Sequence, residues 1–168
     1  MKRAYGMDAW HPASAAPVPV ADNEETPMAA TPDAVMRQWF KEVWNERNAE
    51  AIDKLMSADA KVHGLAGVPI IGASAFKPFH KTFCDSFNDF KIEITQSLVD
   101  GDRVAVLCHV TGKHDGDALG GKATQQPIDF WGMTMGRIEN GQIVEGWNTF
   151  DFLTMYQQLG WVKSPVEG

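Results

Sequence analysis

The side chains best suited to chemistry in this sequence are one aspartate and a scatter of histidines. Glu145, Trp147, Thr149 and Asp151 alternate along a stretch that reads as a β-strand, so all four share one face. With Trp147 turned inward, Asp151 stands beside an indole, and burial disfavours its charged form. A carboxyl held near neutrality can take a proton from an acidic carbon and return it to an oxygen. Asp151 also directly precedes Phe152, where a carboxylate can cap a helix instead. His114 could polarise a carbonyl or relay a proton near neutral pH, or stand in a loop beside Asp115 and Asp117. His63 reads as a half-buried histidine, with pocket lining as its functional alternative. His80 and Cys84 stand four residues apart, a spacing that lets two metal ligands share a helical face. No further ligand follows at a matching spacing, so a packed core pair is expected and no metal site. Asp115-Gly116-Asp117 lacks the acidic ligand that a calcium loop carries at its end. No cofactor is expected.

These groups need elements to hold them. Thr31 is a good N-cap and Pro32 suits a first helical position. Val35, Met36, Trp39, Phe40, Val43 and Trp44 then recur at helical spacing. A short helix is expected from about Ala49 to Met56, and short strands and turns between Gly64 and Gly72. Ser74 is expected to cap a third helix whose face carries Phe76, Phe79, His80, Phe83 and Phe87. The period then becomes two: Phe90, Ile92, Ile94, Gln96 and Leu98 alternate with polar residues. Strands are expected over 103–113, 128–138 and 142–151, with hairpin turns at Asp100-Gly101 and Asn140-Gly141. A final helix runs from Phe152 to Leu159, with Gly160 at its C-terminal end. Helices first and antiparallel strands after give an α+β domain over 31–163. Residues 1–30, rich in Ala and Pro, read as a flexible arm, and 164–168 as a tail.

Composition narrows the partners. The net charge of −7 excludes a basic nucleic-acid footprint and disfavours an anionic membrane surface. No apolar run approaches the roughly 20 residues of a bilayer span, and no apolar segment follows Met1-Lys2-Arg3 as a secretory signal would require. Cys84 and Cys108 are the only cysteines and read as reduced thiols of a cytoplasmic protein. Phe130 and Trp131 point to opposite faces of their strand, which leaves one of them outside any pocket and open to a dimer contact.

The order of these features resembles the SnoaL-like branch of the NTF2-like cone fold. Arg137, the Asn140-Gly141 turn, Glu145, Trp147 and Asp151 resemble the family's C-terminal pattern. So do Gly101-Asp102-Arg103, Gly112-Lys113-His114, Trp44-Asn45, His63, Phe87-Asn88-Asp89 and Gln158-Leu159-Gly160. The resemblance spans about residues 33–161. It implies a curved antiparallel sheet packed against N-terminal helices around a pocket, and dimers through the outer sheet face. It also implies a cofactor-free polyketide cyclase or isomerase with Asp151 as general acid/base and His114 assisting. Ketosteroid isomerase, a relative by the same resemblance, uses an Asp base in an apolar site. One departure stands out. Family members often carry an Arg on the second strand, where this chain has Leu107, which puts the family's substrate preference in doubt.

The expected substrate is an apolar polyketide- or steroid-like molecule. It would be lined by His63, His80, Phe83, Trp131, Met133, Trp147 and Trp44. Two other readings compete. One is a non-catalytic ligand-binding or dimerisation module, since a fold hosts many functions. The other is an epoxide or ester hydrolase, with Asp151 and Asn45 or Arg137 around one water. A solvent-facing or helix-capping Asp151 would favour the binding module.

Overall fold

A computed structural model describes residues 30–163. The arm expected over 1–30, Ala30 excepted, and the tail at 164–168 lie outside the described residues. Helix α1 (Pro32–Gln38) starts as its sequence requires, with the Thr31 side chain accepting from Ala34 N at 3.2 Å. It continues as a π-helical segment, Trp39–Asn45. There the chain closes wider turns, Glu46 N donating to Lys41 O. Trp39, Phe40, Val43 and Trp44 are all buried. Asn45 ends the segment by pairing its amide with both backbone groups of Ile92, each at 2.8 Å. It thus ties the helical layer to the sheet.

Helix α2 (Glu50–Leu55) leads directly into β1 (Met56–His63), and β2 (Ile70–Ile71) precedes α3 (Gly72–Ser86). Ser74 does not cap α3: the helix begins two residues earlier, and no side chain caps it. Gly72 sits at φ +79°, and a Cβ there would come within 2.1 Å of the Ala58 carbonyl oxygen. Only glycine lets the helix start that close to β1. The expected α3 face is real: Phe76, His80, Phe83 and Phe87 are buried, and Phe79 packs against the core.

Strands β3 (Lys91–Asp100), β4 (Arg103–Lys113), β5 (Pro127–Glu139) and β6 (Gln142–Phe150) form antiparallel neighbours. Helix α4 (Phe152–Gln158) closes the fold. The sheet order is β2-β1-β6-β5-β4-β3. β1 runs parallel to β6, so the sheet is mixed rather than wholly antiparallel. The last strand leaves an edge that β1, coming from the helical layer, fills in the same direction. Register breaks in the β1–β6, β3–β4 and β5–β6 pairs bend the strands. The concave face packs on α1, the π-helical segment and α3.

The break in β3 has a visible effect. Thr95 is the extra residue between Ile94 and Gln96 in the β4 pairing. The inward set therefore changes parity, and Leu98 ends 77% exposed on the outer face rather than continuing the buried alternation. Core burial is otherwise continuous, and each fully buried large apolar side chain contributes about 1.5–3 kcal/mol. Cys108 belongs to this core, where burial pushes its thiol up to about 12.

Candidate active site

The concave face of the sheet and the helices enclose one aromatic cavity. Its unfilled space, open mouth included, is about 640 Å³. The π-helical segment supplies Trp39, Phe40 and Trp44, and α3 supplies Phe76, Phe79 and Phe83. The sheet contributes Phe130 and Thr134 from β5 and, from β6, Ile143 and, past the register break, the alternate residues Gly146, Asn148 and Phe150. Phe79, Leu65, Asn148, Phe150 and Phe152 are the partly exposed wall residues, which sets the mouth at their end. Trp44 is the hub of the wall, with Phe76, Phe79, Phe83 and Phe90 at 5.9–6.3 Å around it.

Two of the expected substrate-binding residues, Trp44 and Phe83, stand in this wall. The others are placed elsewhere. Trp131, Met133 and Trp147 lie on the outer face of the sheet, because the inward parity runs through Phe130, Thr134, Gly146 and Asn148. His63 joins them there. Its ring stacks on Trp147 at 5.8 Å, and its Nε2 lies 3.1 Å from Glu145 Oε1. Arg137 is beside the same carboxylate, Nε to Oε2 at 3.8 Å, and the Arg103 guanidinium lies over the Trp147 ring, 5.7 Å from its centroid. His80 is buried behind Trp44, outside the cavity lining. Burial, opposed by its bond to Val43, holds its imidazole below the usual value. Its Nε2–H donates to the Val43 carbonyl at 2.6 Å, satisfying a free carbonyl of the π-helical segment.

The expected burial of Asp151 is corrected most sharply. Asp151 is exposed, and it caps α4: it accepts from Thr154 N at 2.9 Å and from Thr154 Oγ1 at 2.7 Å. These bonds hold its carboxyl below the ordinary 3.8, the opposite of the upward shift that burial beside an indole would give. His114 is fully buried but outside the cavity lining, between Phe87 and Trp161. Its Nδ1 accepts from Thr124 N at 3.1 Å, which leaves the ring proton on Nε2. That Nε2 has no hydrogen-bond partner among the described residues, and the His114 and Trp161 rings meet at 89° with centroids 5.2 Å apart. The candidate hydrolase groups are also committed elsewhere, Asn45 to Ile92 and Arg137 beside Glu145.

Among the described residues none of the cavity-lining side chains is ionisable; besides the indole N–H groups of Trp39 and Trp44, the polar ones are Thr134 and Asn148. Sequence reading passed over both. A signal was available in the glycines of β5. A Cβ on Gly132 would come within 2.0 Å of Phe150 Cδ1, and one on Gly136 within 2.4 Å of Met36 Cε. Glycine at 132 and 136 thus marks the face on which other residues pack, and Thr134 lies between them on that face.

A family model for SnoaL-like polyketide cyclases matches residues 34–159. The chain belongs to the SnoaL-like polyketide cyclase family. Among solved structures, IdmH, a candidate polyketide cyclase from Streptomyces antibioticus, is 27% identical with a TM-score of 0.67. The match covers 77% of this chain and 98% of that one. A candidate SnoaL-like polyketide cyclase from Jannaschia sp. CCS1 is 19% identical with a TM-score of 0.72, covering 84% and 99%. AclR, a candidate hydroxylase from Streptomyces galilaeus, is 22% identical with a TM-score of 0.70, covering 81% and 85%. These last two share the fold. No curated protein matches the sequence. Among the described residues no helix is long and apolar enough to cross a membrane.

Proposed function

We propose that this SnoaL-like chain takes a flat, largely apolar, polyketide-like molecule into the aromatic cavity and promotes ring closure by holding it folded, with no cofactor and no wall carboxylate. The observation that carries this reading is a lining without an ionisable side chain. Such a wall supplies shape and dryness rather than proton transfer. Fixing two reacting carbons in contact is itself a large rate factor. The proton that ring closure moves then travels within the ligand or to water at the mouth.

A second reading keeps Asp151 as general acid/base. It is favoured by one feature: Asp151 stands between Phe150 and Phe152, which both line the cavity. In that reading the carboxylate works at the rim and leaves its Thr154 partners to do so.

The outer sheet face carries Trp131, Met133 and Leu98 at 47%, 54% and 77% exposure. Apolar surface of this kind fits a homodimer contact. The free thiols Cys84 and Cys108 fit a reducing, cytoplasmic setting.

The test is methyl NMR on the purified protein, titrated with two- and three-ring aromatic compounds, with shifts read at Val62, Ile92, Val110 and Ile143. Shifts confined to these wall methyls support the cavity as the ligand site; their absence overturns it. Turnover of a poly-ketone substrate that survives Asp151→Asn supports the first reading. Its loss in a folded variant supports the second, and tight binding without any turnover leaves a binding module.

A further inference from the structure

Thr134 and Asn148, the hydroxyl and the amide of the cavity wall, form one connected pair whose free valences can be read off. Thr134 on β5 and Asn148 on β6 are directly opposed in the strand register. Asn148 Nδ2 is 2.9 Å from the backbone carbonyl oxygen of His63, and Asn148 Oδ1 is 2.8 Å from Thr134 Oγ1. A carbonyl oxygen only accepts, so the amide nitrogen must face His63 and the amide oxygen must face Thr134. The amide oxygen also only accepts. The single hydroxyl hydrogen of Thr134 is therefore committed to Asn148.

What remains free in this pair is one acceptor, the lone pairs of Thr134 Oγ1, and one donor, the second hydrogen of Asn148 Nδ2. These differ in the ligands they fit. A hydroxyl can donate to Thr134 and accept from Asn148 at once. A ketone or ether oxygen can only accept, so it meets Asn148 and leaves Thr134 unpaired. A bare ring meets neither. Unpaired polar groups in a dry wall are costly, so discrimination follows from the pair itself. Room for such a group exists beside it. Gly146 also lines the cavity, and a Cβ there would be 3.9 Å from Asn148 Nδ2 and 4.0 Å from Met135 O. That space is open to one small substituent.

We infer that Thr134 and Asn148 determine specificity by selecting a hydroxyl group carried on a flat apolar ring system, over a ketone, an ether or an unsubstituted ring at the same place. The inference rests on the cavity being the ligand site, and it adds which functional group the ligand presents at the β5–β6 wall.

The experiment compares 2-naphthol, 2-methoxynaphthalene and naphthalene by calorimetric titration of the purified protein. The naphthol should bind about tenfold tighter than the methoxy compound, as two modest hydrogen bonds against one imply. Thr134→Val should narrow the gap between the naphthol and the methoxy compound and should not weaken naphthalene. Thr134→Ser, which keeps the hydroxyl, should preserve the preference. Gly146→Ala, which fills the adjacent space at van der Waals distance from Asn148 Nδ2 and leaves both hydrogen bonds of the pair in place, should weaken the naphthol more than naphthalene. It also serves if the Val variant does not fold. Equal binding of all three compounds overturns the inference while leaving the cavity as ligand site. So does a preference that persists undiminished in both Thr134→Val and Gly146→Ala. If none of the three binds, the cavity reading fails and the inference with it.

Discussion

Replacing Asp151 separates a structural carboxylate from a chemical one, because two substitutions at this position act on different properties. Asn keeps an oxygen that can accept from Thr154 N, so the cap on α4 survives; Ala removes it. Loss of a side-chain N-cap costs about 0.5–2 kcal/mol. The cost falls on a helix that matters to the core, since Met155 and Leu159 are 0% and 3% exposed and Phe152 lines the cavity. For a chain of this size, a 1 kcal/mol loss corresponds to about 2–4 °C in Tm. Asp151→Ala should therefore melt several degrees below wild type, and Asp151→Asn should lie close to it. Thermal unfolding followed by circular dichroism reads both. Equal melting of wild type and Asp151→Ala would refute the capping argument.

The same carboxylate makes a pH prediction. Its Thr154 bonds hold the folded-state value below 3.8, so the unfolded state takes up the proton first on acidification. The stabilisation is fully present above the ordinary value and is lost as pH falls through the lowered folded value. The stability difference between wild type and Asp151→Ala should thus be constant from neutrality to about pH 5 and shrink below about pH 4. A general base at this position would also show in turnover. Asp151→Asn should then lose about 10²–10⁴ in rate with its stability intact, and that result would refute ring closure without a carboxylate.

Other outcomes follow from the packing. Gly132→Ala places a methyl against the Phe150 ring and should cost about 1–3 kcal/mol in urea unfolding. Gly136→Ala meets only the end of the Met36 side chain and should cost less than Gly132→Ala. Asn45→Ala removes both bonds to Ile92 and should lower stability by about 1–3 kcal/mol, read by the same unfolding midpoint. Sedimentation velocity should find wild type as a dimer, and the double variant Trp131→Glu, Met133→Glu as a folded monomer; a monomeric wild type would remove the outer-face contact from the proposal.

The elements were legible in this sequence because each carries its own local signal. Thr31-Pro32 opens α1, and Asn140-Gly141, at φ +50° and +77°, is a tight hairpin turn. Those signals depend on a residue and its near neighbours. What stayed hidden depends on partners far along the chain. The π-helical widening at Trp39–Asn45 follows from Asn45 reaching Ile92 and His80 reaching Val43. Side-chain spacing in the segment itself reads as an ordinary helix. The parallel placement of β1 against β6 likewise has no local mark. The bulge at Thr95 changes which face Leu98 occupies, and nothing in the alternation of β3 announces it.

The inward face of the strands was misread for a related reason. Both faces of β5 are apolar, with Ile128 and Phe130 on one parity and Trp131, Met133 and Met135 on the other. Periodicity fixes that they differ, not which faces the core. Choosing the face with the larger side chains turned Trp147 and Asp151 inward together, since a single step of parity moves every residue of a strand. The physical criterion runs the other way. A concave wall packed by Phe150 and Met36 needs small residues, and Gly132 and Gly136 provide them, while the convex face has space for tryptophan and methionine. Large aromatics on a strand of a strongly bent sheet are therefore evidence for its outside whenever glycines occupy the alternate positions. By that rule Thr134 and Asn148 are the side chains with a hydroxyl and an amide that this fold turns toward the cavity.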